Sequence, residues 1–233
     1  MKNVTLSSII RIIGLTIILI IWKWFFDQQF DLMTEAFIII GGVVAVAPIS
    51  SLGRFFLNKY PTAKHTFWLN MIIHFSIMIC LGAGIIRAIL SAESWKGVII
   101  PFPKAISFIF LIISGFFTIL TTIYLALRGL GAPFALIANS KYLVSEWLYA
   151  RTRNPMVLAI IIFLLSLGSY FQSTGFILWV LTLVLPAWIF FLKIYEEKEL
   201  EIRFGETYLE YKTRTPLLLP FRIKIQKSRK SSS

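Results

Sequence analysis

Apolar residues run along this chain in long blocks, separated by short charged stretches. The blocks are about 20 residues long, the length an α-helix needs to cross the hydrocarbon of a bilayer. They lack the strict alternation of a membrane β-barrel. The pattern predicts six membrane-spanning helices, at 8–26, 35–49, 67–90, 106–127, 155–171 and 174–194. The second is short and holds Gly41, Gly42 and Pro48, so a broken or tilted helix is expected there. The expected fold class is all-α: a polytopic integral membrane protein whose sixth span runs into a C-terminal cytoplasmic cap.

Charge orients these spans. Asp27, Asp31 and Glu35 fill the first loop, Arg54, Lys59 and Lys64 the second, and Glu93, Lys96 and Lys104 the third. Arg128, Lys141, Arg151 and Arg153 fill the fourth, the fifth is uncharged, and the tail is strongly basic. Positive residues are retained on the cytoplasmic side, which places both termini and the 128–154 loop there. The 233 residues are 58% hydrophobic and only 15% charged, which excludes a soluble domain. The net charge of +12 sits in a few loops and the tail, so it reads as topology and not as nucleic-acid binding. Cys80 is the single cysteine, so there is no disulfide framework. The first block is too long for a cleaved signal peptide and lacks small-residue cleavage spacing, so it is expected to stay as a span. Three segments follow: a four-span scaffold at 1–127, a region carrying the candidate chemistry at 128–221, and a disordered basic tail at 222–233 lying on anionic headgroups.

Two stretches carry that chemistry. In 195–221 the acidic pair Glu196-Glu197 stands where the last apolar block ends, and a charge at that depth needs a partner. Leu200 and Phe204 continue one helical face, Gly205 supplies a stop, Tyr208, Tyr211 and Arg214 follow at intervals of three, and Pro216 and Pro220 make the end extended. In 130–157, Pro155 opens a helix, Asn154 is placed to cap it, and Arg153 stands just outside. The free backbone N–H groups at that helix start suit a carboxylate. The short fifth loop makes the last two spans an antiparallel hairpin, which brings Arg153-Asn154-Pro155 beside Glu196-Glu197.

Together the stretches resemble the isoprenylcysteine carboxyl methyltransferase family, part of a wider group of membrane phospholipid methyltransferases. The resemblance rests on Leu143-Val144, Tyr149 and Arg153-x-Pro155, then Glu196-Glu197-x-x-Leu200-x-x-x-Phe204-Gly205-x-x-Tyr208-x-x-Tyr211, and covers roughly 130–221. It implies S-adenosylmethionine as cofactor and methyl transfer to a lipophilic or lipid-attached acceptor at the membrane interface. Lys141, Tyr142, Leu143, Val144 and Tyr149 would line the cofactor, and Asn154, Pro155, Met156 and Val157 would form its wall. Glu196 would hold the methionine amine, with Arg153 and Glu197 completing the catalytic set. The family has His where Asn154 stands, Tyr where Val157 stands and Gly where Trp147 stands. Its eukaryotic members carry a substrate-facing Arg where Leu192 stands, which makes the neighbouring Lys193 the candidate substrate residue. A bacterial cytoplasmic membrane is the expected location, in preference to the endoplasmic reticulum.

S-adenosylmethionine joins a sulfonium and an ammonium to a carboxylate, and the acidic pair facing Arg153 and a helix start offers complementary charge. The two histidines, His65 and His74, lie outside the inferred site, which favours a carboxylate acceptor that needs no base. His74 and Asn70, one turn apart, are expected to make an interhelical hydrogen bond. Gly82 and Gly84 are expected to permit close helix contact, and Lys23 and Arg87 to snorkel. No cluster has metal-ligand spacing, and Gly129-Leu130-Gly131 lacks the third glycine of a dinucleotide fingerprint. The competing readings are an NADPH-dependent membrane reductase of the sterol-reductase type and a non-catalytic member of the fold. The sequence leaves oligomeric state open.

Overall fold

A computed structural model describes residues 2–95, 102–129 and 142–220. The tail at 222–233, Lys141 and the Gly129-Leu130-Gly131 turn beyond Gly129 lie outside the described residues. Every regular element described is helical. The long helices are α1 (Lys2–Asp27), α2 (Leu32–Val44), α3 (Val46–Lys59), α4 (Ala63–Leu90), α5 (Lys104–Gly129) and α6 (Pro155–Tyr170). A last helical rod starts at Thr174 and is interrupted by two wide π turns: α7 (Thr174–Trp179), a π turn Val180–Val184, α8 (Leu185–Phe191), a π turn Leu192–Glu196, and α9 (Glu197–Phe204). After a break at Gly205 comes α10 (Glu206–Arg214).

Among the described residues, four helices are long and apolar enough to cross a membrane: Leu32–Lys59, His65–Leu90, Lys104–Leu125 and Thr174–Phe204. α6 is apolar but has only 16 residues, roughly 24 Å against a hydrocarbon core of about 30 Å. The expected second span at 35–49 is longer than the sequence suggests. α2 and α3 follow one another as a 28-residue unit, with a one-residue break in the helical ladder at Ala45. Pro48 explains it: with no N–H to offer the carbonyl four residues earlier, it loosens the ladder there.

The 174–204 rod is the axis of the bundle. Val180, Val184, Trp188, Phe191, Leu192 and Tyr195 are all buried on it, against Ile73, Ile77 and Leu81 of α4 and Val157, Ile161 and Leu164 of α6. Pro186 accounts for the first π turn, because the turn preceding a proline loses its regular bond. The second is braced from outside: Nη1 of Arg54 on α3 donates to the carbonyl of Ile194 at 3.1 Å. α2 and α4 approach closely through Gly42 and Gly84. A Cβ on Gly42 would fall 2.4 Å from the Cys80 carbonyl oxygen. Gly82 serves α1 instead, leaving the notch that Trp22 fills while its indole N–H donates to the Met78 carbonyl at 3.0 Å.

Arg87 does not snorkel. It is buried, bonded to Glu35 at 2.8 Å and to the carbonyls of Phe25 and Gln28, each at 2.9 Å. Ser91 adds a 2.6 Å bond to the same Glu35 oxygen. The α1–α2 turn presents two carbonyls and a carboxylate, and an always-charged guanidinium satisfies all three at once. Lys23 pairs with Asp27 one turn on, at 2.7 Å.

Candidate functional site

The α6 start and the 192–204 stretch meet. Pro155 begins α6, as a residue without an N–H can. Arg153, just before it, forms a 2.6 Å ion pair with Glu197 at the start of α9. The other Glu197 oxygen takes Lys212 of α10, also at 2.6 Å. One carboxylate thus ties three segments that are distant in sequence.

Gly205 makes this possible. Its φ of +54° and ψ of −133° turn the chain where a side chain would be strained, and α10 folds back. Tyr208 and Tyr211 are buried as a result, with the Tyr211 hydroxyl donating to the Tyr149 carbonyl at 2.6 Å. The extended end then runs along the α6 entrance: Arg153 N–H donates to the Pro216 carbonyl at 2.9 Å, and the Asn154 amide to the Leu217 carbonyl at 3.0 Å. Asn154 therefore does not cap α6 with its side chain. The returning segment offers its amide a carbonyl acceptor, and the amide takes it.

These elements enclose a cavity of about 120 Å³. Of the sequence-derived residues, Tyr142, Leu143, Val144, Tyr149, Arg153, Asn154, Met156, Val157, Glu196 and Glu197 line it. Pro155 does not; it is buried behind the wall. Lys193 is exposed and outside the lining, because the rod turns it away from the face that bears Glu196. Lys141 lies outside the described residues.

The cavity also takes residues that the sequence reading left out. Leu125 of α5 and Asn70 and His74 of α4 line it, with Glu199 and Arg203 of α9; Leu200 and Phe204, already part of the motif, line it as well. The placement of His74 outside the site is thereby corrected: α4 packs directly on α9 and carries the imidazole to the wall. The interhelical bond is made by Asn70, whose amide reaches Glu199 at 3.3 Å. His74 turns Nδ1 to the Asn70 carbonyl of its own helix at 2.8 Å, with its ring edge-on to Phe191. The signal was present in the sequence as two polar residues at i, i+4 on an apolar helix, but which neighbour they faced was not.

Charge in the cavity is uneven. Glu197 is held by Arg153, and Glu199 is held by Arg203 at 2.8 Å. Glu196 forms no hydrogen bond or ion pair among the described residues, although it keeps part of its surface open to the cavity. Around it, burial pushes the phenol of Tyr149 well above its ordinary value, and the nearby Glu196 adds to the shift. Burial raises Tyr208 and Tyr211 in the same way, against the opposing pull of Arg153. All three phenols stay neutral and present aromatic surface to a cation. Trp147, at the rim segment before Tyr149, adopts a φ of +55°. That is a conformation glycine takes freely and a bulky residue seldom does.

No family model, no curated protein and no solved structure matches this chain.

Proposed function

We propose that the protein is a membrane-embedded, S-adenosylmethionine-dependent methyltransferase acting on a lipophilic or lipid-attached acceptor that reaches the cavity from the bilayer. The observation that carries this reading is the Glu196 carboxyl, which has no partner among the described residues, in a cavity where the guanidinium groups of Arg153 and Arg203 are each already joined to another carboxylate. A half-buried carboxyl without such a partner suits a cation from outside, which would hold it in its charged form. The donor set fits this cofactor. Glu196 meets the ammonium, Tyr149, Tyr208, Tyr211 and Phe204 give ring faces to the sulfonium, and Leu125, Met156, Val157, Leu192 and Leu200 suit the apolar remainder. The left-handed turn at Trp147, where the resembled family carries glycine, also supports the likeness.

S-adenosylmethionine, when bound, supplies an electrophilic methyl group. The protein holds donor and acceptor in line and keeps water out. Its apolar wall favours a reaction in which opposite charges collapse, since the separated charges are poorly solvated there. The reductase reading is less well supported. The phosphates of NADPH would meet Arg153 and Arg203, which already hold Glu197 and Glu199.

The chain would cross the membrane six times, in a bacterial cytoplasmic membrane, with both termini cytoplasmic and α9–α10 closing the cavity from that side. Purified protein incubated with methyl-labelled S-adenosylmethionine and membrane lipids should yield a labelled lipid identifiable by mass. Calorimetric binding of NADPH without binding of S-adenosylmethionine would overturn the proposal.

A further inference from the structure

Between Glu35 and Glu93 the chain has no acidic residue, yet Arg54, Lys59 and Lys64 fall in that interval. Their charge must be answered from another element or from outside the protein. The element packed on the end of α3 is the last rod. Nη1 of Arg54 donates to the Ile194 carbonyl at 3.1 Å, and a Cβ on Gly53 would fall 2.6 Å from the Tyr195 ring. The rod carries four carboxylates there and turns all of them elsewhere. Glu197 takes Arg153 and Lys212, Glu199 takes Arg203, and Glu201 takes Lys212. Glu196 opens on the cavity.

Toward α3 the rod adds a cation instead. Lys193 stands one residue before the bonded carbonyl, is exposed, and forms no hydrogen bond or ion pair among the described residues. A guanidinium has five N–H donors. Arg54 places one on Ile194 and has no carboxylate against the others among the described residues.

Beside these cations α3 is apolar and open. Leu52, Phe55 and Phe56 are exposed, and with Lys59 they follow the i, i+3, i+4, i+7 spacing of one helical face. Tyr60 is exposed next to them, its ring 5.4 Å from the Lys59 ammonium. Lys59 closes the apolar unit Leu32–Lys59, so in a bilayer this level falls where hydrocarbon gives way to headgroups. Cations without a protein anion, next to an exposed apolar face, are the complement of a lipid whose head is a phosphate.

We infer that the end of α3 and the 192–196 turn form a binding site for an anionic glycerophospholipid in the leaflet on the α9–α10 side. Arg54 and Lys193 hold its phosphate, and Leu52, Phe55 and Phe56 lie along its acyl chains. The inference is independent of the methyl-transfer reading. Diffuse attraction to an anionic surface would be shared by every exposed cation on that side, whereas a site belongs to these two. The bond to Ile194 fixes the Arg54 fork in advance, so little side-chain freedom is lost when the phosphate arrives.

The test is native mass spectrometry of the full chain released from detergent, with phosphatidylglycerol and phosphatidylcholine of the same acyl chains offered together. The wild type should retain one phosphatidylglycerol in preference to phosphatidylcholine. Lys193→Gln should cut that preference about fivefold, and Lys193→Gln combined with Arg54→Gln about 25-fold. Arg151→Gln, which removes another exposed cation, should leave it unchanged. Millimolar inorganic phosphate should not displace the lipid. Because Lys193 is exposed and free among the described residues, its single variant carries the test even where Arg54→Gln fails to fold. Equal retention of the two lipids by the wild type, a preference that survives Lys193→Gln, or an equal loss on Arg151→Gln would each overturn the inference. Displacement by inorganic phosphate would overturn it as well, leaving a site for a free anion.

Discussion

At the scale of single residues, Glu196 and Arg87 present opposite cases of a charge taken out of water. Glu196 has no partner among the described residues, so on the proposed reading its charge is matched when ligand binds. Glu196→Gln should leave the protein folded and inserted while weakening S-adenosylmethionine binding at least about tenfold, consistent with one charge-assisted bond of about 1.5–3 kcal/mol. Isothermal titration with unchanged affinity would take this residue out of the site. Arg87 is matched in full by Glu35 and two carbonyls. Arg87→Ala strands a carboxylate and should cost about 3–5 kcal/mol, read as a lowered thermal midpoint in detergent. Removing both partners, as Arg87→Met with Glu35→Gln, should recover much of that loss.

At the scale of elements, the site depends on a turn and a brace. Gly205 has open space where a side chain would sit, so its requirement is one of backbone conformation alone. Gly205→Ala should destabilise the α9–α10 turn by about 1–3 kcal/mol, seen as faster amide exchange or proteolysis confined to 205–220. A protection pattern identical to wild type would mean that the turn tolerates a side chain. The second π turn carries Glu196 at its end and has its Ile194 carbonyl bonded by Arg54. Arg54→Met keeps the stem and deletes the donor. It should reduce ligand affinity by several-fold with little loss of stability, because the change reaches the cavity only through the aim of Glu196.

At the scale of the whole molecule, the cavity is assembled from α4, α5, the α6 entrance and α9–α10. Asn70, His74 and Leu125 bring part of the 1–127 stretch to the wall of a cavity otherwise lined from 128–221. The six-span topology makes a separate prediction. Reporters fused at either end should both read as cytoplasmic, whereas an external signal from a fusion after Ser233 would change the span count.

The helical membrane character was legible because apolar runs of bilayer length allow few other solutions. The meeting of Arg153 with the acidic pair was legible as well, because a short loop forces neighbouring helices antiparallel. The sequence by itself determined where the long apolar helices lie and which ends of the last two helices share a boundary. Only the tertiary structure decided which charges on those segments neutralise each other. Arg153 could have paired with either glutamate, Arg87 could have reached solvent, and His74 could have faced lipid. Each outcome depends on helix rotation and on what the neighbouring helix presents, and spacing within a single helix carries no information about either.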